Sequence, residues 1–157
     1  VNGVAAGAGA ALALACDIVI AADNASFIQS FCRLGLVPDS GGSWFLPRLA
    51  GHARAMGMAL LGDKISAQQA LAWGMIWQVV PADELADRTQ TLARHLATQP
   101  TYGLGLIKKA LYSSATNSLD QQLDLERDLQ RLGGRSDDYR EGVSAFFAKR
   151  TPNFSGK

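Results

Sequence analysis

The sequence predicts an α/β fold, because a strand, a glycine-rich turn, a helix and a second strand follow one another at its start. Helix patterns joined by short connections then fill most of the remaining chain. With 48% of its 157 residues hydrophobic, the chain is able to bury a packed core. We therefore expect an α/β part at residues 1–80 and a helical part at residues 81–157.

The first elements surround a loop rich in glycine and alanine. Residues 1–3 have the pattern of a strand end, so we expect a further portion of the protein before them. After the loop, residues 10–15 combine high helix propensity with small side chains. Residues 17–22 contain a run of three β-branched side chains at 18–20 and predict a buried strand, and residues 25–28 predict a shorter one.

The middle of the chain predicts helices with clear end signals. A helix at 44–49 should be interrupted by Pro47, and a second at 53–61 should end at Gly62. Ser66 and Gln69 have the spacing of a capping box that begins the next helix. A strand is expected at 75–80, followed by helices at 84–97, 102–110, 119–132 and 137–147.

Composition and charge exclude several classes of function. Lys and Arg number 15 against 14 Asp and Glu, so a net charge of +1 offers no large attractive field for nucleic acid or an anionic membrane, while a small molecule that carries phosphate needs only a few local cations. The apolar stretch at 3–14 is mostly Ala and Gly and is followed by Asp17, which excludes a membrane span. Cys16 and Cys32 lack metal-ligand spacing, and we expect both to be reduced core residues of a cytoplasmic protein, with a disulfide as the alternative.

Asp39 is the first candidate for catalysis. Pro38 fixes the backbone before it, while Gly41 and Gly42 release the turn after it, so Asp39 should lie on a sharp loop before an amphipathic helix. A carboxylate on such a loop is suited to acid/base chemistry. The alternative is an ordinary turn or an N-cap residue of the helix.

The Gly7-Ala8-Gly9 turn is the second candidate. A dinucleotide-binding fingerprint requires Gly or Ala where this chain has Leu12, and no Gly-Lys-Ser/Thr follows to make a P-loop. The turn is instead able to present a backbone N–H to a carbonyl oxygen that gains negative charge, a contribution of about 3 kcal/mol per donor. A small-residue turn that only lets a helix pack on a strand is the alternative.

Two further groups carry weaker signals. His52 and His95 have no Ser, Cys or Asp partner at suggestive spacing, so neither a catalytic triad nor a metal site is predicted. Lys149 and Arg150 stand among aromatic residues near the end of the chain. They are either a solvated surface pair or a contact for a phosphate or adenine group.

Several stretches together resemble the crotonase (enoyl-CoA hydratase/isomerase) superfamily. They are VNGVAAGAG at 1–9, CDIVIAA at 16–22, LGLVPDSGGSW at 34–44 and YREGVSAFFAKRTPNF at 139–154. The resemblance implies a ClpP/crotonase-like spiral of ββα turns, followed by helices that trimerise. It also implies that roughly a hundred residues of a typical member precede this chain, in keeping with ordinary domain sizes.

The resemblance implies stabilisation of a thioester enolate by two backbone N–H groups. Ala8 matches one donor, and the other belongs to an upstream family segment that this sequence does not contain. The two glutamates of the family's hydratases correspond here to Ala11 and Phe31, so hydratase chemistry is not expected. Asp39 matches the acid/base position of the family's isomerases.

Further stretches at 54–63, 73–80 and 122–127 are similar to isomerases of this family that serve phenylacetate catabolism. The implied substrate is an acyl-CoA, with no separate cofactor and no metal, and the implied assembly is a homotrimer or dimer of trimers that associates with a hydratase partner. Lys149 would reach the CoA of a neighbouring subunit. The implied substrate-binding residues are Gly7, Phe31, Pro38, Gly41, Trp44 and Lys149.

Three alternatives remain on the same scaffold. The first is a hydratase-like enzyme. In the second, Asp39 acts as a nucleophile, as in aryl-CoA dehalogenases, or assists thioester hydrolysis. The third is a subunit that binds acyl-CoA or a partner without catalysis.

Overall fold

The computed structural model describes all 157 residues, Val1–Lys157. It contains five short strands, eight α-helices and one 3-10 helix. The chain forms two compact units, Val1–Thr89 and Gln90–Lys157. The boundary expected between residues 80 and 81 stays a prediction.

Two small sheets lie in the first unit. Their strands are β1 (Val4–Ala6), β2 (Ile20–Ala22), β3 (Ser26–Ile28), β4 (Lys64–Ser66) and β5 (Gln78–Val80). β1 pairs in parallel with β3, and β4 pairs antiparallel with β3 on its other side. β2 and β5 form a separate parallel pair.

The helices of the first unit cover these strands. They are α1 (Ala8–Leu14), the 3-10 helix Ser30–Leu34, α2 (Gly42–Ala50), α3 (His52–Leu61) and α4 (Ala67–Ala72). Phe27, Leu46 and Met58 are the largest apolar side chains at the centre of the core, each at most 2% exposed. α1 packs against α2 through small side chains, because Ala10 and Ala11 are fully buried.

Helix α2 contradicts the predicted interruption at Pro47. The helix continues through Pro47 and ends at Ala50, with Gly51 after it. Proline removes one backbone donor from a helix interior. The burial of Leu46 and Ala50 on either side of Pro47 holds the helix to the core despite that loss.

The cysteines also depart from the prediction. Both are free thiols, but Cys16 is exposed and Cys32 only partly buried, so the expected core positions are wrong. Cys16 follows the last turn of α1, where its Sγ lies 3.5 Å from the carbonyl oxygen of Leu12. Apolar neighbours in the sequence did not reveal that the chain leaves the core at this point.

The second unit is helical. α5 (Leu85–Ala97) spans the division between the units, and α6 (Thr101–Ser114), α7 (Leu119–Gly133) and α8 (Asp137–Phe147) follow. α6 packs against α7, and the Gln122 side chain donates to the carbonyl oxygen of Ala110 at 3.1 Å. None of the helices combines the length and apolar character that a membrane crossing requires.

Candidate active site

The Gly7 turn places a backbone amide at the start of helix α1. Gly7 has φ 53° and ψ −123°, a conformation open to glycine but strained for other residues. Its N–H donates to the carbonyl oxygen of Ile28 at 2.8 Å, which fastens the turn to the end of β3. Ala8 is the exposed first residue of α1, and the first amides of a helix have no intrahelical acceptor. The predicted N–H donor therefore lies at the positive end of α1.

Phe31 lies directly against this turn. It belongs to the 3-10 helix, and a Cβ added to Gly7 would stand 3.4 Å from Cζ of its ring. The ring is partly buried. The structure thus brings Phe31, which is distant along the chain, against Gly7 and so to the turn that begins with Gly7 and Ala8.

Asp39 opens a tight turn of unusual backbone conformation. The N–H of Gly42 donates to the carbonyl oxygen of Asp39 at 2.7 Å. Between them, Ser40 has φ 52° and Gly41 has φ 83°, the two consecutive positive values of a type I′ turn. Ser40 is strained there because it carries a Cβ.

The carboxylate of Asp39 does not cap helix α2. Gly41 occupies the N-cap position, and no side chain makes a capping hydrogen bond. The N-cap interpretation of Asp39 is therefore wrong, while the expected sharp loop before a helix is confirmed. Asp39 is exposed at the surface of the first unit.

Gly42 joins the Asp39 turn to helix α1. A Cβ built on Gly42 would lie 3.3 Å from Cβ of Pro38 and 3.5 Å from Cβ of Ala11. Ala11 is fully buried and stands one turn after Ala8 on α1. The Asp39 turn therefore packs against the same helix that begins with the Ala8 amide.

Trp44 and Gly41 complete the group in the first unit. The Trp44 indole is 47% exposed, and Cζ of Arg48 lies 3.3 Å from its ring centroid, a cation–π contact. Gly41 has φ 83°, which favours glycine, and a Cβ there would also stand 3.0 Å from the ring of Phe45, a tight contact that would require the ring to shift.

Lys149 belongs to the second unit and lies two residues after the end of helix α8. The φ angle of Lys149 is 51°. Its N–H donates to the carbonyl oxygen of Phe146, and the N–H of Arg150 donates to the carbonyl oxygen of Ala145. This is a Schellman motif with lysine at the position where glycine is usual. The Lys149 side chain is exposed.

The histidines remain apart from these groups. His52 begins α3 and His95 lies near the end of α5, and both are exposed. The structure contains no cluster of three or more His, Cys, Asp or Glu residues arranged to hold a metal ion.

Gln29 is a polar residue of this region that the sequence interpretation missed. It follows β3, is fully buried, and its amide lies near Gly42. A signal was available, because Phe27 and Gln29 alternate along an extended segment and the same face that buries Phe27 should bury Gln29.

The fold and these turns define an α/β protein of the crotonase type, in which a loop that carries a carboxylate packs on the helix that follows the Gly7 turn. The enoyl-CoA hydratase/isomerase family matches residues 1–157 in full. The chain belongs to that family, and the predicted crotonase-like fold is confirmed.

Relatives of known sequence or structure support the assignment of the chain to this family. The chain is 71% identical over all 157 residues to the 1,2-epoxyphenylacetyl-CoA isomerase of Escherichia coli K12, covering 60% of that protein. It is 52% identical over its whole length to a probable enoyl-CoA hydratase of Rhodobacter capsulatus, covering 61% of it. A crystal structure of a putative enoyl-CoA hydratase/isomerase from Mycobacterium abscessus matches 99% of this chain, and 60% of its own, with TM-score 0.96 and 41% identity. The chain thus spans about 60% of the length of these relatives.

Proposed function

We propose that the protein containing this chain is an acyl-CoA isomerase, which converts 1,2-epoxyphenylacetyl-CoA into an oxepin-CoA or shifts the double bond of an enoyl-CoA. The observation that carries the proposal is the packing of the Asp39 turn on the helix that begins with Ala8. The 71% identity to an isomerase supports the choice of substrate.

Ala8 and Asp39 have complementary roles in this proposal. Asp39 takes a proton from the carbon beside the thioester, and the electron pair passes to the thioester oxygen. The Ala8 N–H donates to that oxygen and stabilises its negative charge, with the dipole of α1 in the same direction. Protonated Asp39 then returns the proton to a different carbon, so one carboxylate completes the cycle.

The residues at positions 11 and 31 argue against hydration. Adding water requires one group to activate it and one to deliver a proton. Ala11 is a fully buried methyl group and Phe31 is an aromatic ring against Gly7, so neither is able to transfer a proton.

The same proposal assigns binding roles around the site. Phe31 and Trp44 provide aromatic walls, and Gly7, Pro38 and Gly41 give the backbone shape that lets a thioester approach.

Lys149 contacts a phosphate of coenzyme A bound to a neighbouring subunit of a trimer or dimer of trimers, which associates with a hydratase. Coenzyme A enters as part of the substrate, with no further cofactor, and the two free thiols fit the predicted cytoplasmic location.

Analysis of products tests the reaction class. The full-length protein, incubated with 1,2-epoxyphenylacetyl-CoA and separately with an enoyl-CoA, should yield isomers of unchanged mass. A product heavier by one water would contradict the proposal and favour a hydratase.

Nucleophilic catalysis by Asp39 is one alternative, and it predicts a covalent ester on the Asp39 side chain. Its carboxylate is exposed and therefore also able to act as a nucleophile. Rapid quenching followed by mass analysis of the Asp39 peptide should find no acyl or aryl ester. An ester on that peptide would replace proton transfer by covalent catalysis.

A further inference from the structure

The Trp44 indole is a large aromatic side chain at the surface of the first turn of α2. It is 47% exposed, so packing against the core covers only about half of it. The N–H of Trp44 donates to the carbonyl oxygen of Gly41 at 2.9 Å, which ties the backbone of Trp44 to the turn that carries Asp39. Exposed side chains exchange among rotamers unless a neighbour holds them. The ring therefore needs a further contact if it is to form a fixed surface beside that turn.

Arg48 provides this contact. Its Cζ lies 3.3 Å from the centroid of the Trp44 ring, so the guanidinium stacks on one face of the indole. Nη1 of the same guanidinium donates to the carbonyl oxygen of Trp44 at 3.1 Å. Both residues belong to α2, where a spacing of four residues places side chains on the same side of the helix. Arg48 is thus held to Trp44 at two points, the backbone and the ring.

A second cation–π pair in the first unit differs from this one. Cζ of Arg54, in α3, lies 5.4 Å from the ring centroid of Trp73, and no hydrogen bond joins the two residues. Trp73 is partly buried where it follows α4, so the core already holds its ring. The close, two-point contact is specific to the tryptophan that follows the Asp39 turn.

We propose that Arg48 is a positioning residue that fixes the Trp44 ring as one wall of the acyl pocket, and that this wall favours acyl-CoA substrates with a flat aromatic ring. This role rests on the proposed function, which places Trp44 at the substrate. With Arg48 in place, almost half of the Trp44 side chain is still exposed to a ligand. A flat ring that packs there gains an aromatic contact that a straight alkyl chain does not make.

Binding of two coenzyme A esters to the full-length protein tests this role without depending on catalysis. Phenylacetyl-CoA carries a flat ring and hexanoyl-CoA a straight chain, and calorimetry measures the Kd of each. Arg48→Met removes the guanidinium but keeps a long apolar side chain. It should raise the Kd of phenylacetyl-CoA about fivefold, because the ring is no longer held, and that of hexanoyl-CoA by less than about twofold. The matched variant Arg54→Met should leave both Kd values at the wild-type level.

A double variant shows whether Arg48 acts through Trp44. Trp44→Leu should weaken binding of phenylacetyl-CoA at least as much as Arg48→Met does, since the ring itself is lost. Adding Arg48→Met to Trp44→Leu should then have no further effect, because two residues that act through one contact are not additive.

Four results would overturn the positioning role. They are a wild-type Kd for phenylacetyl-CoA in Arg48→Met, equal losses for the two esters in that variant, unchanged binding in Trp44→Leu, and a further loss in the double variant. Product analysis separates this role from the proposed function. If the wild type forms no isomer while Arg48→Met loses affinity for phenylacetyl-CoA alone, the proposed reaction fails and the positioning role stands. If isomers form and Arg48→Met binds both esters as the wild type does, only the positioning role fails.

Discussion

Gly7 and Gly9 stand two residues apart, yet only the backbone conformation at Gly7 favours glycine over other residues. Gly7 has φ 53°, and a Cβ there would approach Phe31 to 3.4 Å, while a Cβ at Gly9 would meet nothing within 4 Å. Gly9 lies inside α1, where alanine is the better helix former.

Gly7→Ala should therefore lower the free energy of unfolding by about 1–3 kcal/mol, the cost of a strained backbone. The matched variant Gly9→Ala should leave it unchanged or raise it by up to about 1 kcal/mol. Denaturant unfolding of the full-length protein measures both. Equal effects of the two variants would contradict the role assigned to the Gly7 conformation.

Sequence patterns identify Asp39, Gly7 and Gly41 because their neighbours, proline and glycine, have strong local backbone preferences. They do not identify Gln29, whose surroundings are assembled from β3, α1 and α2. Cys16 illustrates the same limit, since its exposure depends on where the chain leaves the core. Residue type indicates local geometry, and contacts between distant segments decide burial.

Among the secondary-structure elements, residues that mark helix ends predict the observed helices better than residues inside the helices do. The capping box is confirmed: the Ser66 hydroxyl accepts from the Gln69 N–H at 3.2 Å, and the Gln69 side chain accepts from the Ser66 N–H at 3.0 Å. Gly62 ends α3 in a left-handed conformation, as expected. These signals act within a few residues, so no knowledge of the tertiary structure is needed.

Interiors and short strands are harder to predict. Pro47 does not interrupt α2, because burial of the helix outweighs one missing hydrogen bond. Strand β4 was not expected, since its three residues, Lys64–Ser66, bury only Ile65 and depend on pairing with β3. Helix α6 extends to Ser114, four residues past its predicted end.

Loss of the capping box should destabilise helix α4. Ser66→Ala removes the acceptor for the Gln69 N–H at the start of α4 and should lower the free energy of unfolding by about 1 kcal/mol. Ser144→Ala, at an exposed position inside α8, is the control and should have no cost. Equal destabilisation by both would show that the cap contributes nothing.

At the scale of the whole molecule, the end of the chain is tied to α8 by charge. The Arg150 guanidinium donates to both carboxylate oxygens of Glu141, at 2.6 and 2.8 Å, and the Asn153 N–H donates to one of them. The Arg150 hydrogen bonds, followed by that of Asn153, lower the pKa of Glu141 from 4.5 to about 2.

A carboxyl group whose pKa is lower in the folded state than in the unfolded state stabilises the fold fully above its unfolded-state pKa. That stabilisation is lost as the pH falls through the folded-state pKa. The contribution of Glu141 should thus be complete above pH 4.5 and lost as the pH falls toward about 2. Thermal midpoints measured across this range should fall less steeply in Glu141→Gln than in the wild type. Identical slopes in wild type and Glu141→Gln would contradict this assignment.

One carboxylate, that of Asp39, is proposed to move the proton beside the thioester, and isotope exchange measures this transfer. The full-length protein in deuterated water should exchange the α-protons of an acyl-CoA, and Asp39→Asn should reduce the rate by about 10²-fold or more, as for loss of a general base. Asp23→Asn, in the exposed turn after β2, should exchange at the wild-type rate. Undiminished exchange in Asp39→Asn would show that another group moves the proton and would contradict the proposed role of Asp39.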